Sequence, residues 1–238
     1  IFGGTSFADR LEMVAYNALP ATFDEKMEAH QYDQQANQVL CTIARRHWTN
    51  NGDDANIFGL EPNFGCCTAN YHQGWPKFAA NLWMATADDG LAAVAYGPCK
   101  VTAKVAGKVD AVIDVETDYP FDETVRMTVH PFWAEGASVK VNGEDQRAHR
   151  ATYSQLHRTW NDGDRIELHF PMKVEVERRY NDSVTLKRGP LVYSLKIGER
   201  WERIRGEDWC PDYAVYPTTP WNYGLAIDPD NPQVEVVK

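Results

Sequence analysis

Cys66 and Cys67 stand side by side in the stretch Gly65-Cys66-Cys67-Thr68-Ala69-Asn70. A thiolate is both a nucleophile and a metal ligand. Two in a row allow one of each, or a joint grip on a single ion. Two blander readings stay open: a pair of inert apolar thiols in a core, and a strained vicinal disulfide. His30 and His72 lie near this stretch or the polar segment before it, and a lone histidine is more often structural. Asn63, Asn70 and Gln73 read as backbone caps, although ligand hydroxyls would suit them too. Glu61 is a carboxylate close to the pair in sequence. Cys41, Cys99 and Cys210 match no ligand spacing and read as structural.

The elements that must position these residues change character along the chain. Ser6-Phe7-Ala8-Asp9 has the form of a capping box. Phe7, Leu11, Val14, Ala15 and Leu19 recur at helical spacing until Pro20. Glu12 sits in the middle of this helix and, with no other information, reads as a solvated charge. Residues 22–65 are polar and rich in Gln and Asn, so short strands or turns packed by something larger are expected there. A second helix follows the cysteines, with Trp75, Phe78, Leu82 and Trp83 on one face and Pro76 in its first turn or at a break. The stretch Thr86-Ala87-Asp88-Asp89-Gly90 reads as a boundary.

From Gly90 the hydrophobic period becomes two. Strands are predicted at Leu91–Tyr96, Lys100–Val105, Val109–Val115, Thr124–His130, around Ile166-Leu168-Phe170, and at Val174-Val176. Asn142-Gly143 is a tight hairpin signal, and Asn161-Asp162-Gly163-Asp164 another turn. Many short strands at near-regular spacing argue for an antiparallel β-sandwich. A helical segment of this size, with its long polar stretch, makes a poor independent core. It reads as the end of a larger helical domain.

The chain has 238 residues, 43% hydrophobic and 24% charged, a globular composition. The formal net charge is -10, and Lys and Arg are not clustered, so no nucleic-acid footprint is expected. No run of eighteen apolar residues occurs, so no transmembrane helix is expected. No signal-peptide pattern is present. The chain begins Ile1-Phe2-Gly3-Gly4 without methionine, and a natural N-terminus lost upstream is expected. Eight Trp and eleven Tyr are many for this length. Such rings stack on sugars or fill sandwich cores, and the second reading suits any single one better.

The cysteine block Asn63-Phe64-Gly65-Cys66-Cys67-Thr68-Ala69-Asn70, followed by Gly74-Trp75-Pro76-Lys77-Phe78, resembles the β-L-arabinofuranosidases of glycoside hydrolase family 127. Further blocks follow the family order: Leu11-Glu12-Met13-Val14-Ala15-Tyr16-Asn17, His30-Gln31-Tyr32, and Asn37-Gln38-Val39. In the strand-rich part come Pro131-Phe132-Trp133-Ala134, Val139-Lys140-Val141-Asn142-Gly143, Trp160-Asn161-Asp162-Gly163-Asp164 and Arg188-Gly189-Pro190-Leu191-Val192-Tyr193.

The resemblance implies an α+β chain: the C-terminal part of an (α/α)6 barrel over residues 1–88, an antiparallel β-sandwich over 89–198, and a truncated second sandwich or C-terminal segment over 199–238. It implies a retaining glycoside hydrolase in which Cys66 is the nucleophile and one zinc ion sits on Cys66 and Cys67. It also implies that a further Glu and Cys ligand and an acid/base Glu lie upstream of this chain, so that the fragment alone is inactive. Glu12, Tyr32, His30 and His72 become candidates for substrate binding, and the partner becomes a plant-type glycan or arabinofuranoside. Two other functions fit the same residues. One is a non-catalytic relative in which the pair holds metal or packs. The other is a zinc- or redox-responsive interaction protein.

Overall fold

The computed structural model describes residues 5–60, 65–87, 91–105, 109–115, 124–125, 136–147, 153–156, 158 and 164–234. The chain is a mixture of short helices and antiparallel sheets. It opens with α1 (Ser6–Met13), which continues as a π-helical turn over Val14–Ala18 and a 3-10 turn over Pro20–Thr22. The helices α2 (Gly65–Asn70) and α3 (Gly74–Ala80) follow. The strands are β1 (Trp83–Ala85), β2 (Leu91–Ala93), β3 (Cys99–Val105), β4 (Val109–Val115), β5 (Thr124–Val125), β6 (Ser138–Val141), β7 (Glu144–Gln146), β8 (Ile166–His169), β9 (Val174–Arg178), β10 (Val184–Arg188), β11 (Leu191–Val192), β12 (Glu199–Glu207) and β13 (Cys210–Pro217). No described helix is long and apolar enough to cross a membrane.

Two compact units share the chain. One takes Ile1–Tyr16, Pro76–Val192 and Val234–Lys238; the other takes Asn17–Trp75 and Tyr193–Gln233. Each unit therefore draws residues from more than one of the sequence segments divided at 88 and 198.

In the first unit, β5-β8-β6-β7 and β11-β10-β9 form sheets, and β3-β4 and β1-β2 form ribbons, every pairing antiparallel. Alternation decides which side chains go inward. Val139, Val141, Ile166 and Leu168 are buried from β6 and β8, and Ala93, Tyr96 and Phe170 complete that core. A second cluster joins Ala15 beyond α1 to Phe78 of α3, Leu82 and Ala95. Asn142 and Gly143 both take positive φ in the two-residue turn from β6 to β7, as that dipeptide predicts. Pro76 lies in the first turn of α3, as expected.

Several local expectations are corrected. The N-cap of α1 is Thr5, which makes no side-chain cap hydrogen bond, and Ser6 is already helical. The stripe Phe7, Leu11 and Val14 is exposed, Phe7 by 65%, whereas Glu12 and Ala15 face inward. Hydrophobic spacing thus named the helix but not its buried side. α3 ends at Ala80, so Leu82 and Trp83 lie beyond it, and Trp83 begins β1. β1 and β2, on either side of the expected boundary, pair antiparallel. The strand expected at Leu91–Tyr96 stops at Ala93. The rest of the Thr124–His130 strand, the Pro131–Ala134 block, and Trp160 to Gly163 lie outside the described residues.

The second unit is built differently. β12 and β13 pair antiparallel, and the other edge of β13 is met by single bridges from Cys41 to Val215 and from Phe58 to Tyr213. His30 bridges both Phe23 and Gly59. Gly59 is required by a close approach: a Cβ there would come 2.1 Å from Asp212 Oδ1. The buried interior includes Gln31, Asn56 and Asp212. Gln31 Nε2 donates to the Asn56 carbonyl at 2.8 Å, and Gln38 Nε2 donates to Gln31 Oε1 at 3.0 Å. Such a region has the backbone bonds of a sheet with few of its apolar signals, which is why the polar stretch carried no periodicity.

Candidate functional site

The second unit carries the cysteine pair on α2. Cys66 is exposed and Cys67 half-buried, and both are free thiols, so the vicinal disulfide is absent. Exposure of Cys66 also removes the reading of two thiols hidden in a core. The two Sγ atoms stand 3.9 Å apart. Burial pushes the Cys67 thiol above its ordinary range, and the hydrogen bond to Cys66, the Cys66 charge and the Asp33 charge push the same way.

The spacing can be tested against a shared ion. Two thiolates at about 2.3 Å from one tetrahedral zinc stand about 3.8 Å apart. The observed separation fits this. Among the described residues no group of three or more His, Cys, Asp or Glu is arranged to hold a metal. The pair therefore offers two ligands of a four-coordinate shell.

Helix α2 buries none of its own side chains, so polar contacts fix its position. Thr68 Oγ1 donates to the Leu60 carbonyl. His30 Nε2 lies 2.8 Å from Thr68 Oγ1 and 3.2 Å from the Leu60 carbonyl oxygen. On the next turn, the Tyr71 hydroxyl donates to the Leu19 carbonyl at 2.5 Å, and its ring packs on Phe23 with centroids 4.0 Å apart. Asn70 Nδ2 donates to the Cys66 carbonyl at 2.7 Å, and Gln73 Nε2 donates to Asn70 Oδ1 at 2.9 Å. Asn70 thus caps backbone, as expected of it. Asn63 and Glu61 lie outside the described residues.

The other candidates fall in separate places. Tyr32 is half-buried in the second unit, between buried Gln31 and Asp33. His72 is exposed on the 3-10 turn Tyr71–Gln73. His30 is 1% exposed and turned to Thr68. Glu12 belongs to the first unit, and at 3% exposure it is not the solvated helix charge expected from sequence. Its Oε1 accepts the Tyr96 backbone N–H at 3.2 Å, while the Tyr16 hydroxyl donates to the Tyr96 carbonyl. Burial, with the Glu12 charge second, holds the Tyr16 hydroxyl far above the ordinary phenol range. One helical face thereby satisfies both backbone groups of residue 96.

Two residues near the pair were missed by sequence reasoning. Asp33, whose charge reaches Cys67, follows Tyr32 directly, and its place in that block was the available signal. Thr68 sits inside the cysteine block itself. Of the remaining thiols, Cys41 is buried, accepts a hydrogen bond from Gln38 Nε2 at 2.9 Å, and is pushed by burial up to about 11. That is the inert thiol expected of it.

Comparison with known proteins bears on the first unit most directly. Residues 90–172 match the family model of the beta-L-arabinofuranosidase GH127 middle domain. Among solved structures, the chain is similar to one described as a glycoside hydrolase, with a TM-score of 0.66 and 19% identity over 91% of this chain and 46% of the other. It is similar to a GH127 beta-L-arabinofuranosidase from Geobacillus stearothermophilus T6, with a TM-score of 0.64 and 20% identity over 90% of this chain and 44% of the other. A GH127 beta-arabinofuranosidase gives a TM-score of 0.62 and 17% identity over 91% of this chain and 43% of the other. The chain thus spans less than half the length of each of these structures. No curated protein matches it. Residues 90–172 thus match the GH127 middle-domain model, within a fold similar to that of GH127 structures, and the resemblance to glycoside hydrolase family 127 is borne out over those residues.

Proposed function

We propose that this chain is part of a retaining glycoside hydrolase of the β-L-arabinofuranosidase type, in which Cys66 is the nucleophile. The observation that carries the reading is the GH127 middle-domain match at residues 90–172, in a chain that also presents two free thiols 3.9 Å apart on one short helix. In this reading the helical segment is the end of an (α/α)6 barrel and the strand-rich segment a β-sandwich. The substrate is an arabinofuranoside of a plant-type glycan.

Cys66 and Cys67 would hold one zinc ion, and the ion would supply charge that keeps the sulfurs as thiolates. The Cys66 thiolate attacks the anomeric carbon, and the bond to the leaving oxygen breaks as that oxygen takes a proton. Water then attacks the same carbon from the opposite face, giving its proton back to the group that protonated the leaving oxygen, as the carbon–sulfur bond breaks and the thiolate is restored. Two inversions leave the configuration retained, with sulfur taking the part usually played by a carboxylate. The proton donor and the remaining zinc ligands belong to the rest of the protein, so the 238-residue chain alone is expected to be inactive. Tyr32 and His72, both on the unit that carries the pair, would meet the sugar hydroxyls.

The test is made on the product of the full open reading frame with an aryl β-L-arabinofuranoside. Cys66→Ser should abolish turnover with the fold intact, because serine is neither a thiolate nor a soft ligand. Cys67→Ser should lose activity together with metal. An epoxide-sugar label mapped to Cys66 supports the mechanism. Label on Glu12 or Glu61, with Cys66→Ser still active, would mean an ordinary carboxylate glycosidase and a structural cysteine pair.

A further inference from the structure

We infer that His30 is a positioning residue for the cysteine pair: its Nε2–H, through Thr68, fixes the helix that presents Cys66 and Cys67. The inference rests on the reading of the pair as a joint site.

The hydrogen-bond roles follow from the partners. The Leu60 carbonyl can only accept, and it lies 3.2 Å from His30 Nε2, so Nε2 carries the proton. Thr68 has one hydroxyl proton, which goes to the same carbonyl, so its oxygen accepts from Nε2 at 2.8 Å. Two independent contacts thus assign one tautomer. It leaves Nδ1 as a buried acceptor with no hydrogen-bond partner among the described residues.

What His30 does is hold α2. That helix has six residues and buries none, so apolar packing gives it no fixed seat. His30, by contrast, is 1% exposed and locked through its backbone. Its N–H donates to the Gly59 carbonyl at 2.9 Å, and its carbonyl accepts from the Gly59 N–H at 3.0 Å. Its ring lies 5.7 Å from that of Phe23, which in turn packs on Tyr71 one turn beyond Thr68. Thr68 follows Cys67 directly. A buried donor therefore grips this surface helix beside its two thiols, and any ligand that needs both sulfurs together depends on that grip. His30 acts through Thr68 and does not meet substrate.

The probe is phenylarsine oxide, which condenses with two thiols to a cyclic dithioarsenite and one water, and so reports both sulfurs at once without catalysis or zinc. It is titrated into the 238-residue chain, with Cys67→Ser as the zero and thermal melting run on every variant. His30→Leu keeps the bulk and removes the donor; Thr68→Val keeps the shape and removes the hydroxyl. Both should weaken capture by about tenfold, the loss typical when a ligand's supporting partner is removed. His30→Gln, whose amide N–H reaches the same place, and Thr68→Ser should restore it. Thr68 is on the surface side, so Thr68→Val keeps the test open should His30→Leu fail to fold. Folded Thr68→Val with wild-type capture, or His30→Gln as weak as His30→Leu, overturns the positioning role while the pair's joint grip stands. A wild-type chain that captures no more arsenical than Cys67→Ser overturns the joint grip itself, and the inference with it.

Discussion

Val139, Val141, Ile166 and Leu168 of the first unit turn one sheet face into an apolar core, while the buried positions of the second unit include Gln31, Asn56 and Asp212. In one case the free energy comes from area removed from water, which needs only the right spacing of apolar residues. In the other, buried apolar residues such as Ala55, Ile57 and Val215 are joined by hydrogen bonds and ion pairs, some between partners far apart in sequence. Arg205 pairs with both Asp212 and Asp54, the latter 2.9 Å away and 151 residues back. The cysteine pair stands in the second kind of surroundings. A site there is set by specific directional contacts, so its geometry is easily lost by a single polar substitution.

That difference can be broken by a matched pair of variants. Leu168→Ala in the first unit should cost about 2–5 kcal/mol, the usual range for a buried leucine replaced by a small residue. Asp212→Ala in the second should cost less, about 1–3 kcal/mol, because Arg205 is partly exposed and keeps Asp54. Denaturant unfolding of both variants measures this. Equal costs would mean that the polar network is not the weaker of the two frameworks.

Thiol chemistry sharpens the contrast inside the second unit. Cys41 is buried in the amide network with its thiol pushed up to about 11, whereas Cys66 is exposed on α2. Iodoacetamide near neutral pH should therefore modify Cys66 roughly a hundredfold or more faster than Cys41, since the thiolate is the reacting species and access is needed. Time-resolved peptide mapping gives both rates from one sample. Comparable rates would show that the network around Gln31, Gln38 and Cys41 opens freely.

The same contrast explains what could be read from the chain. The strands β4, β8 and β9 and the Asn142-Gly143 turn were legible because alternation and turn chemistry are local. Cys66 and Cys67 stood out as candidates because adjacent thiols are unusual in any setting. The buried side of α1 was not legible: Glu12 goes inward because the Tyr96 N–H, 84 residues away, needs an acceptor there. The link from His30 to Thr68 was not legible either. It joins residues 38 apart through a carbonyl of a third segment, and no periodicity marks such a contact. The division of the chain into units was hidden for a related reason, since β13 meets Cys41 and Phe58 by single backbone bridges that any side chain would allow.

The smallest effect expected belongs to the first unit and is a charge effect on its surface. Glu177 on β9 bonds Lys187 across the ladder to β10 and pairs with Arg179 at 3.0 Å. The Lys187 hydrogen bond holds the Glu177 carboxyl below its ordinary 4.5; burial opposes it, and the charges of Lys187 and Arg179 add smaller lowering effects. A carboxylate whose pKa is lower folded than unfolded adds stability above its unfolded pKa, and that stability is lost as pH falls through the folded value. The pair is about a third exposed, so the contribution at neutral pH should be under about 1 kcal/mol. Glu177→Gln should therefore lower the denaturation midpoint slightly at pH 7, and the gap to the wild type should close as both are taken well below pH 4.5. A gap that persists unchanged in acid would mean that the Glu177 side chain acts by packing, and that the first unit draws nothing from this ion pair.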